Sequence, residues 1–344
     1  MRVINGCWVV FVLGALIGAC RDDALPGDVT RVDAGSVDAG SPDDAIAPDV
    51  GPPDAAGDGA AMDAAETADA RSGTDTDEPF PIDRGGDGPS APVTYKGLPL
   101  ALTDSGEPTL SAVDGVIGVV CVGMSNSNQE CADFIMRLGG AMGAEVNGEV
   151  RFINCAVGGH AIERWIDSAF DDRLWNTCLG MRLPTGGVRV DQVRVIYHKA
   201  ANQFGTGAAY FPDAGSDYFT FYENLTAFAD RVDDFFPAVQ AVYTTSRSYG
   251  GFTDRPERGE PLSYEEGHAL NTWLADHPVV GGAWQGWGPY IWAPACSSGE
   301  FNGSGVCYER DDYQMDGVHP AAGARAKISQ MMHDRFSQHA WYRP

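Results

Sequence analysis

Val116-Ile-Gly-Val-Val-Cys-Val122-Gly-Met-Ser125-Asn126 is an apolar, β-branched run that stops at Gly123 and gives way to polar residues. A run without polar alternation suits a strand buried on both faces, the condition of a parallel strand covered by helices. Similar runs recur at Val150 to Ile153, Val193 to Tyr197 and Val239 to Thr244. Helical patterns lie between and after them. From Asp217 to Phe236, the residues Tyr218, Phe221, Tyr222, Leu225, Phe228, Ala229, Val232 and Phe235 fall at three- and four-residue spacing and make one apolar face. A second helix is predicted over Tyr264 to Ala275. A third opens at Pro320, a residue favoured in a first turn, and runs to about Phe336. With a short fifth strand expected near Tyr290 to Ala293, the alternation predicts a three-layer α/β/α sandwich around a mainly parallel sheet. Ligands of such sheets sit beyond the carboxyl ends of the strands, which is where Ser125 falls.

The preceding sequence has a different character. Residues 1–19 read as a lipoprotein signal: Arg2 is the only charge, the apolar run from Cys7 to Ala19 is too short to span a bilayer, and small residues lead into Cys20, the expected lipidation site. An ordinary secretory signal is the alternative, and both place the protein outside the cytoplasm. Residues 20–93 are rich in Asp, Ala, Gly and Pro, with 18 acidic and 4 basic residues from Arg21 to Val93. So little apolar surface cannot offset chain entropy, and the segment reads as a disordered acidic tether with a span of roughly 45 Å. The folded domain is then expected over 94–344, displayed at the outer membrane or cell surface, with membrane contact only through the lipid. With 48 acidic residues against 23 Lys and Arg, the net charge of −25 argues against a nucleic-acid partner.

Setting aside Cys7 and Cys20 leaves six cysteines, and none has the doublet spacing of a zinc site. Cys296 and Cys307 flank a Gly- and Ser-rich loop and are the best disulfide candidate. The pairing of Cys121, Cys131, Cys155 and Cys178 stays open.

Three blocks carry chemistry. Ser125, between a buried strand and a helix, lies near backbone N–H groups that favour developing negative charge. Asn154-Cys-Ala-Val-Gly158-Gly159 lets backbone approach a substrate closely, because glycine has no Cβ. Asp316-Gly-Val-His319-Pro places a carboxylate three residues before an imidazole, so that the first can orient the second. Each alone has an ordinary explanation, as a helix cap or a surface turn. Together and in this order they resemble the SGNH (GDSL-like) hydrolases, and within them carbohydrate esterases of the sialate O-acetylesterase and acetyl xylan esterase type. The resemblance implies a flavodoxin-like five-stranded sheet, a Ser125, His319 and Asp316 triad needing no cofactor, and an oxyanion hole drawn from Ser125, Gly158 and Gly159. A further block, Tyr197-His198-Lys199-Ala-Ala-Asn202, departs from the family pattern. Asn202 is the side chain amide available for the hole, with Lys199 or His198 as alternatives.

Weaker candidates for substrate contact are Asn126, Lys199, Arg247 and Trp287. Arg247 follows a strand and suits either an acidic group on a ligand or a structural ion pair. Trp284, Trp287, Tyr290 and Trp292 are more area than a protein leaves wet, so core packing is the stronger reading over sugar stacking. His160, His198 and His268 read as satisfied or surface histidines, not metal ligands. The sequence therefore predicts a serine esterase removing an acyl group, acetyl above others, from a carbohydrate or other small ester. The alternative is an inactive SGNH scaffold serving as a carbohydrate-binding or adhesion lipoprotein.

Overall fold

The computed structural model describes residues 108–344, apart from 171, 200, 206–214, 261 and 300, together with a short antiparallel pair, β1 (Thr94–Tyr95) and β2 (Leu98–Pro99). The signal, Cys20 and the tether over 20–93 lie outside the described residues. The main sheet contains β3 (Ile117–Gly123), β4 (Val150–Asn154), β5 (Val193–Lys199), β6 (Ala241–Thr245), β7 (Val279–Val280) and β8 (Ala283–Trp287), in the spatial order β4-β3-β5-β6-β8-β7. All neighbours are parallel except β7, which runs against β8. The five parallel strands thus follow the flavodoxin-like order 2-1-3-4-5, and the chain switches direction between β3 and β5.

The fifth parallel strand is Ala283–Trp287, not Tyr290–Ala293, and β7 adds a sixth strand to the five expected. Ala-Trp-Gln-Gly-Trp has no β-branched run, and its strand character comes from pairing with β6, Ala241 opposite Trp284 and Thr244 opposite Trp287. Tyr290 to Ala293 is buried irregular chain beyond the strand's end.

Helices cover both faces: α1 (Ser125–Leu138), α2 (Ile162–Ile166), α3 (Arg173–Thr177), α4 (Leu183–Thr185), α5 (Asp217–Phe235), α6 (Leu262–Asp276) and α7 (Ala322–Phe336). Helix α7 starts two residues after Pro320, because Pro320 forms a bridge with Tyr313 and the Ala321 N–H donates to the Asp312 carbonyl at 2.7 Å. The strands divide their side chains between two cores. Val120, Val122, Ile196 and Val242 pack toward Phe221, Leu225 and Phe228 of α5, whereas Val119, Val195, Tyr197 and Tyr243 pack toward Phe134 of α1 and Ile328, Met332 and Phe336 of α7. This is the period-two alternation of strands covered on both sides. Phe336 centres the second core, with ring centroids 5.8 Å from Tyr197 and 5.5 Å from Tyr243, both nearly edge-on. Such pairs contribute on the order of 1 kcal/mol each beyond their buried area.

Three disulfides close the domain: Cys121–Cys131, Cys155–Cys178 and the anticipated Cys296–Cys307. The first joins β3 to α1 and so clamps the turn that carries Ser125. The second holds the chain leaving β4, three residues before Gly158.

Candidate active site

Strand β3 ends at Gly123, whose φ of 144° is open to glycine; a Cβ there would lie 2.2 Å from Ser127 Oγ and 2.7 Å from the Lys199 carbonyl oxygen. The chain can therefore turn at once into α1, with Met124 as N-cap and Ser125 as first helical residue. His319 arrives from the segment before α7. Its Nε2 lies 2.8 Å from Ser125 Oγ, and its Nδ1 bonds Asp316 Oδ2. An ionised carboxylate only accepts, so Nδ1 carries the ring proton and Nε2 is left to accept from the serine hydroxyl.

Asp316 is itself fixed. Its Oδ1 accepts from the backbone N–H groups of Val318 and His319, each at 3.0 Å. Partial burial alone would raise its pKa, but the hydrogen bond from His319, the two backbone N–H groups and the charge of His319 outweigh it and hold the carboxyl below its ordinary value. Gly317 makes the turn possible with φ of 66°, and a Cβ there would sit 2.1 Å from the Phe252 carbonyl oxygen. Asn126 ties the two halves together, its Nδ2 donating to the Val318 carbonyl at 2.9 Å. In the Gly317→Ala variant the left-handed backbone conformation alone costs about 1–2 kcal/mol. Because that strain and the clash fall between Asp316 and His319, a lower melting temperature is expected, which calorimetry checks.

On the other side of Ser125 the chain leaving β4 presents Gly158, where a Cβ would come 3.8 Å from Ser125 Cβ, and Gly159, at φ of 73°. Among the described residues, the N–H groups of Ser125, Gly158 and Gly159 donate to no backbone carbonyl. They are the donors available to an anionic oxygen at this point. Ser125, His319 and Gly159 share one cleft with Met124, Asn126 and Val318, and with Gln203, Arg247 and Arg258.

The remaining expected contacts fall differently. Asn202 does not line this cleft: it is buried, its Oδ1 accepts from Asn224 Nδ2 at 2.9 Å, and its N–H donates to Glu266 Oε1 at 2.6 Å. The following residue, Gln203, takes the place at the cleft wall. Lys199, the other candidate for the oxyanion hole and for substrate contact, is buried with Nζ bonded to Glu130 on α1, and it lines a small hollow beside the cleft but not the cleft itself. His198 is neither satisfied nor exposed; its ring stacks on Phe228 at 3.6 Å without a hydrogen bond, and burial pushes its pKa down to about 3. Trp287 is fully buried, and so are Trp284, Tyr290 and Trp292, so these aromatics close the core and offer no sugar platform. Arg247 combines both readings, since it lines the cleft, donates to the Asn202 carbonyl at 3.2 Å and approaches Glu266 at 3.9 Å. Gln203 escaped the sequence reading because it stands one residue past the Tyr197–Asn202 block, and Arg258 because the short 3-10 turn that ends on it carries no motif.

No family model matches the chain, and no curated protein matches it. Solved structures do. A candidate GDSL-like lipase from Parabacteroides merdae superposes with a TM-score of 0.40 at 11% identity, covering 66% of this chain and 98% of its own. The lipase Lip_vut3 from a goat rumen metagenome gives 0.39 at 12% identity, covering 64% and 97%. A variant of an acetyl xylan esterase from Geobacillus stearothermophilus gives 0.38 at 11% identity, covering 65% and 95%. At such identities and scores, what this chain does has to be argued from its own side chains.

Proposed function

We propose that the protein is a serine ester hydrolase that removes short acyl groups, acetyl above others, from carbohydrate. The observation that carries this reading is the hydroxyl of Ser125 at 2.8 Å from His319 Nε2 while Nδ1 of the same ring is held by Asp316, at the carboxyl end of a parallel sheet. Ser125 Oγ attacks the ester carbonyl as its proton passes to His319 Nε2, and Asp316 stabilises the imidazolium. The oxygen that becomes negative is received by the N–H groups of Ser125 and of Gly158 or Gly159. The tetrahedral intermediate collapses, the C–O bond to the sugar breaks, and His319 returns the proton to the leaving oxygen. Water then attacks the acyl-serine, giving its proton to His319, and the carboxylic acid leaves as Ser125 regains its hydrogen.

Support for a short acyl group comes from a hollow that adjoins the cleft and shares Met124, Asn126, Arg247, Arg258 and Val318 with it. Its volume is about 20 Å³, room for on the order of one water or methyl group, beside about 170 Å³ in the cleft that Ser125 itself lines. The three disulfides suit an oxidising compartment and so support the extracytoplasmic, lipid-anchored placement read from residues 1–20.

A serine-directed fluorophosphonate is expected to label the purified protein at Ser125, and hydrolysis of 4-nitrophenyl acetate is expected to exceed that of the octanoate by about tenfold or more, the effect of crowding several methylenes out of a small pocket. A folded sample that neither labels nor hydrolyses would overturn the esterase, and faster turnover of the octanoate would overturn the acetyl preference.

A further inference from the structure

Part of the cleft wall is a strap of chain, residues 201–205, that follows β5 and brings Gln203 into one cleft with Ser125, Gly159 and His319. It belongs to no helix or strand, so its backbone groups need other partners. The Ala201 carbonyl accepts from the Ile162 N–H at 3.1 Å, and the Gly205 N–H donates to the Glu257 carbonyl at 2.7 Å. Between them, two consecutive N–H groups go to carboxyls on two different helices: Asn202 to Glu266 Oε1 on α6 at 2.6 Å, and Gln203 to Glu163 Oε1 on α2 at 2.8 Å. Glu266 is fully buried. Its Oε1 is occupied by the Asn202 N–H, while Oε2 is shut away from solvent without a hydrogen bond, and Arg247 Nε stands 3.9 Å from it. An ionised carboxylate needs donors on both oxygens, whereas a protonated one carries its hydrogen on the oxygen that has none. The surrounding charges agree with the second state. Glu266 faces Arg247 after β6 and Lys199 at the end of β5, against Glu163 on α2 and Asp217 at the start of α5, with Glu265 and His268 beside it on α6. Lys199 is already bonded to Glu130, and Glu265 to the Asp217 N–H. Burial, with the charges of Glu163 and Asp217, outweighs Arg247 and the Asn202 N–H and holds Glu266 well above the carboxylate range. Glu130 and Glu260 also keep an unbonded buried oxygen, but Glu130 has Lys199 as counter-ion and Glu260 accepts from Gly250 and Trp292. Two carboxyls holding adjacent backbone groups of the cleft wall set Glu266 and Glu163 apart.

We propose that Glu266 is a positioning residue of the cleft wall that works in its protonated form: the neutral carboxyl, together with Glu163, holds the strap and with it Gln203 against the cleft, and loss of its proton releases them. Its effect on turnover rests on the esterase reading above. Ionisation would put a second buried negative charge next to Glu163, with Arg247 too far to bond it and Lys199 engaged elsewhere. Such a charge is relieved by letting water in, and water enters by moving the strap off the two carboxyls.

The test follows kcat/KM for 4-nitrophenyl acetate from pH 7 to pH 10, with spontaneous hydrolysis subtracted. The base of the proposed mechanism acts in its neutral form, so its own titration shapes the acid side only. In the wild type kcat/KM is expected to fall by at least about tenfold across this range, with a slope approaching that of one proton. Glu266→Gln keeps an acceptor for the Asn202 N–H and has no proton to lose, so its kcat/KM is expected to stay within about threefold. Glu266→Ala leaves that N–H without an acceptor and is expected to lose at least about tenfold at every pH. A flat wild-type profile, or an alkaline fall that persists in Glu266→Gln, would overturn the proposal. A second measurement needs no turnover. Because the folded value of Glu266 lies above the unfolded one, its contribution to stability is full below the unfolded value and is lost as pH rises through the folded one. In urea denaturation, the unfolding constant of Glu266→Gln relative to the parent is therefore expected to drop at least about tenfold between pH 5 and pH 9. A ratio that does not change with pH contradicts the proposal. Absence of hydrolysis by a folded wild-type sample at pH 7 is a failure of the esterase reading, and the urea result then decides for or against Glu266 by itself.

Discussion

Turnover of 4-nitrophenyl acetate by the Ser125→Ala variant is expected to fall by about four to six orders of magnitude, the loss seen when a triad serine is removed and only binding and oxyanion donors remain. The hydroxyl's closest partner is the His319 ring at 2.8 Å, so little else should change and the melting curve should match the parent. Asp316→Asn is the sharper companion. An asparagine Oδ1 can still accept from the N–H groups of Val318 and His319, as the aspartate does at 3.0 Å. Its amide nitrogen would then face His319 Nδ1 and favour the tautomer protonated on Nε2, which cannot take the serine's proton. A loss of about 10⁴ with an unchanged fold is expected. Steady-state kinetics with active-site titration checks both variants, and residual activity near the parent's in either one contradicts the mechanism.

The second large effect concerns stability. Lys199 and Glu130 form a fully buried ion pair between the end of β5 and α1, the helix that begins at Ser125. Breaking such a pair from one side leaves an uncompensated buried charge, so Lys199→Met is expected to lower the unfolding free energy by about 3–5 kcal/mol. Replacing both residues by methionine should recover most of that loss, since neither desolvation penalty remains. The single variant should also respond to pH. Burial already drives the Glu130 pKa up against the pull of Lys199, and without the lysine the folded value lies further above the unfolded one. The protonated carboxyl is then tolerated below the unfolded value, and stability is lost as pH rises through the folded value. Urea denaturation at pH 5 and pH 8 should find the variant closer to the parent at pH 5.

Much of this was legible because it is local. The β-branched runs beginning at Val116, Val150 and Val193 declare strands, and Ser125, Gly158 and the Asp316/His319 pair each lie in a short pattern that needs no tertiary information. What escaped is non-local. The strand Ala283–Trp287 exists through its pairing with β6, not through its own composition. Lys199 reads as a candidate for the oxyanion hole or for substrate contact until Glu130, 69 positions away, meets it in the interior. Asn202 was the amide nearest the family pattern, yet Glu266 and Asn224 hold it inward and leave Gln203 at the cleft. Disulfide pairing likewise awaited the contact of β3 with α1 that brings Cys121 to Cys131.

Helix α1 packs beside α7, and the latter follows directly on the turn bearing the imidazole. Ser125 and His319, separated by 194 positions, therefore meet only when the first and last helices of this layer dock. Until they do, the Ser125 hydroxyl has no imidazole beside it. Under the proposed mechanism activity therefore requires the closing helix, and a molecule cut short before it carries the hydroxyl without its base.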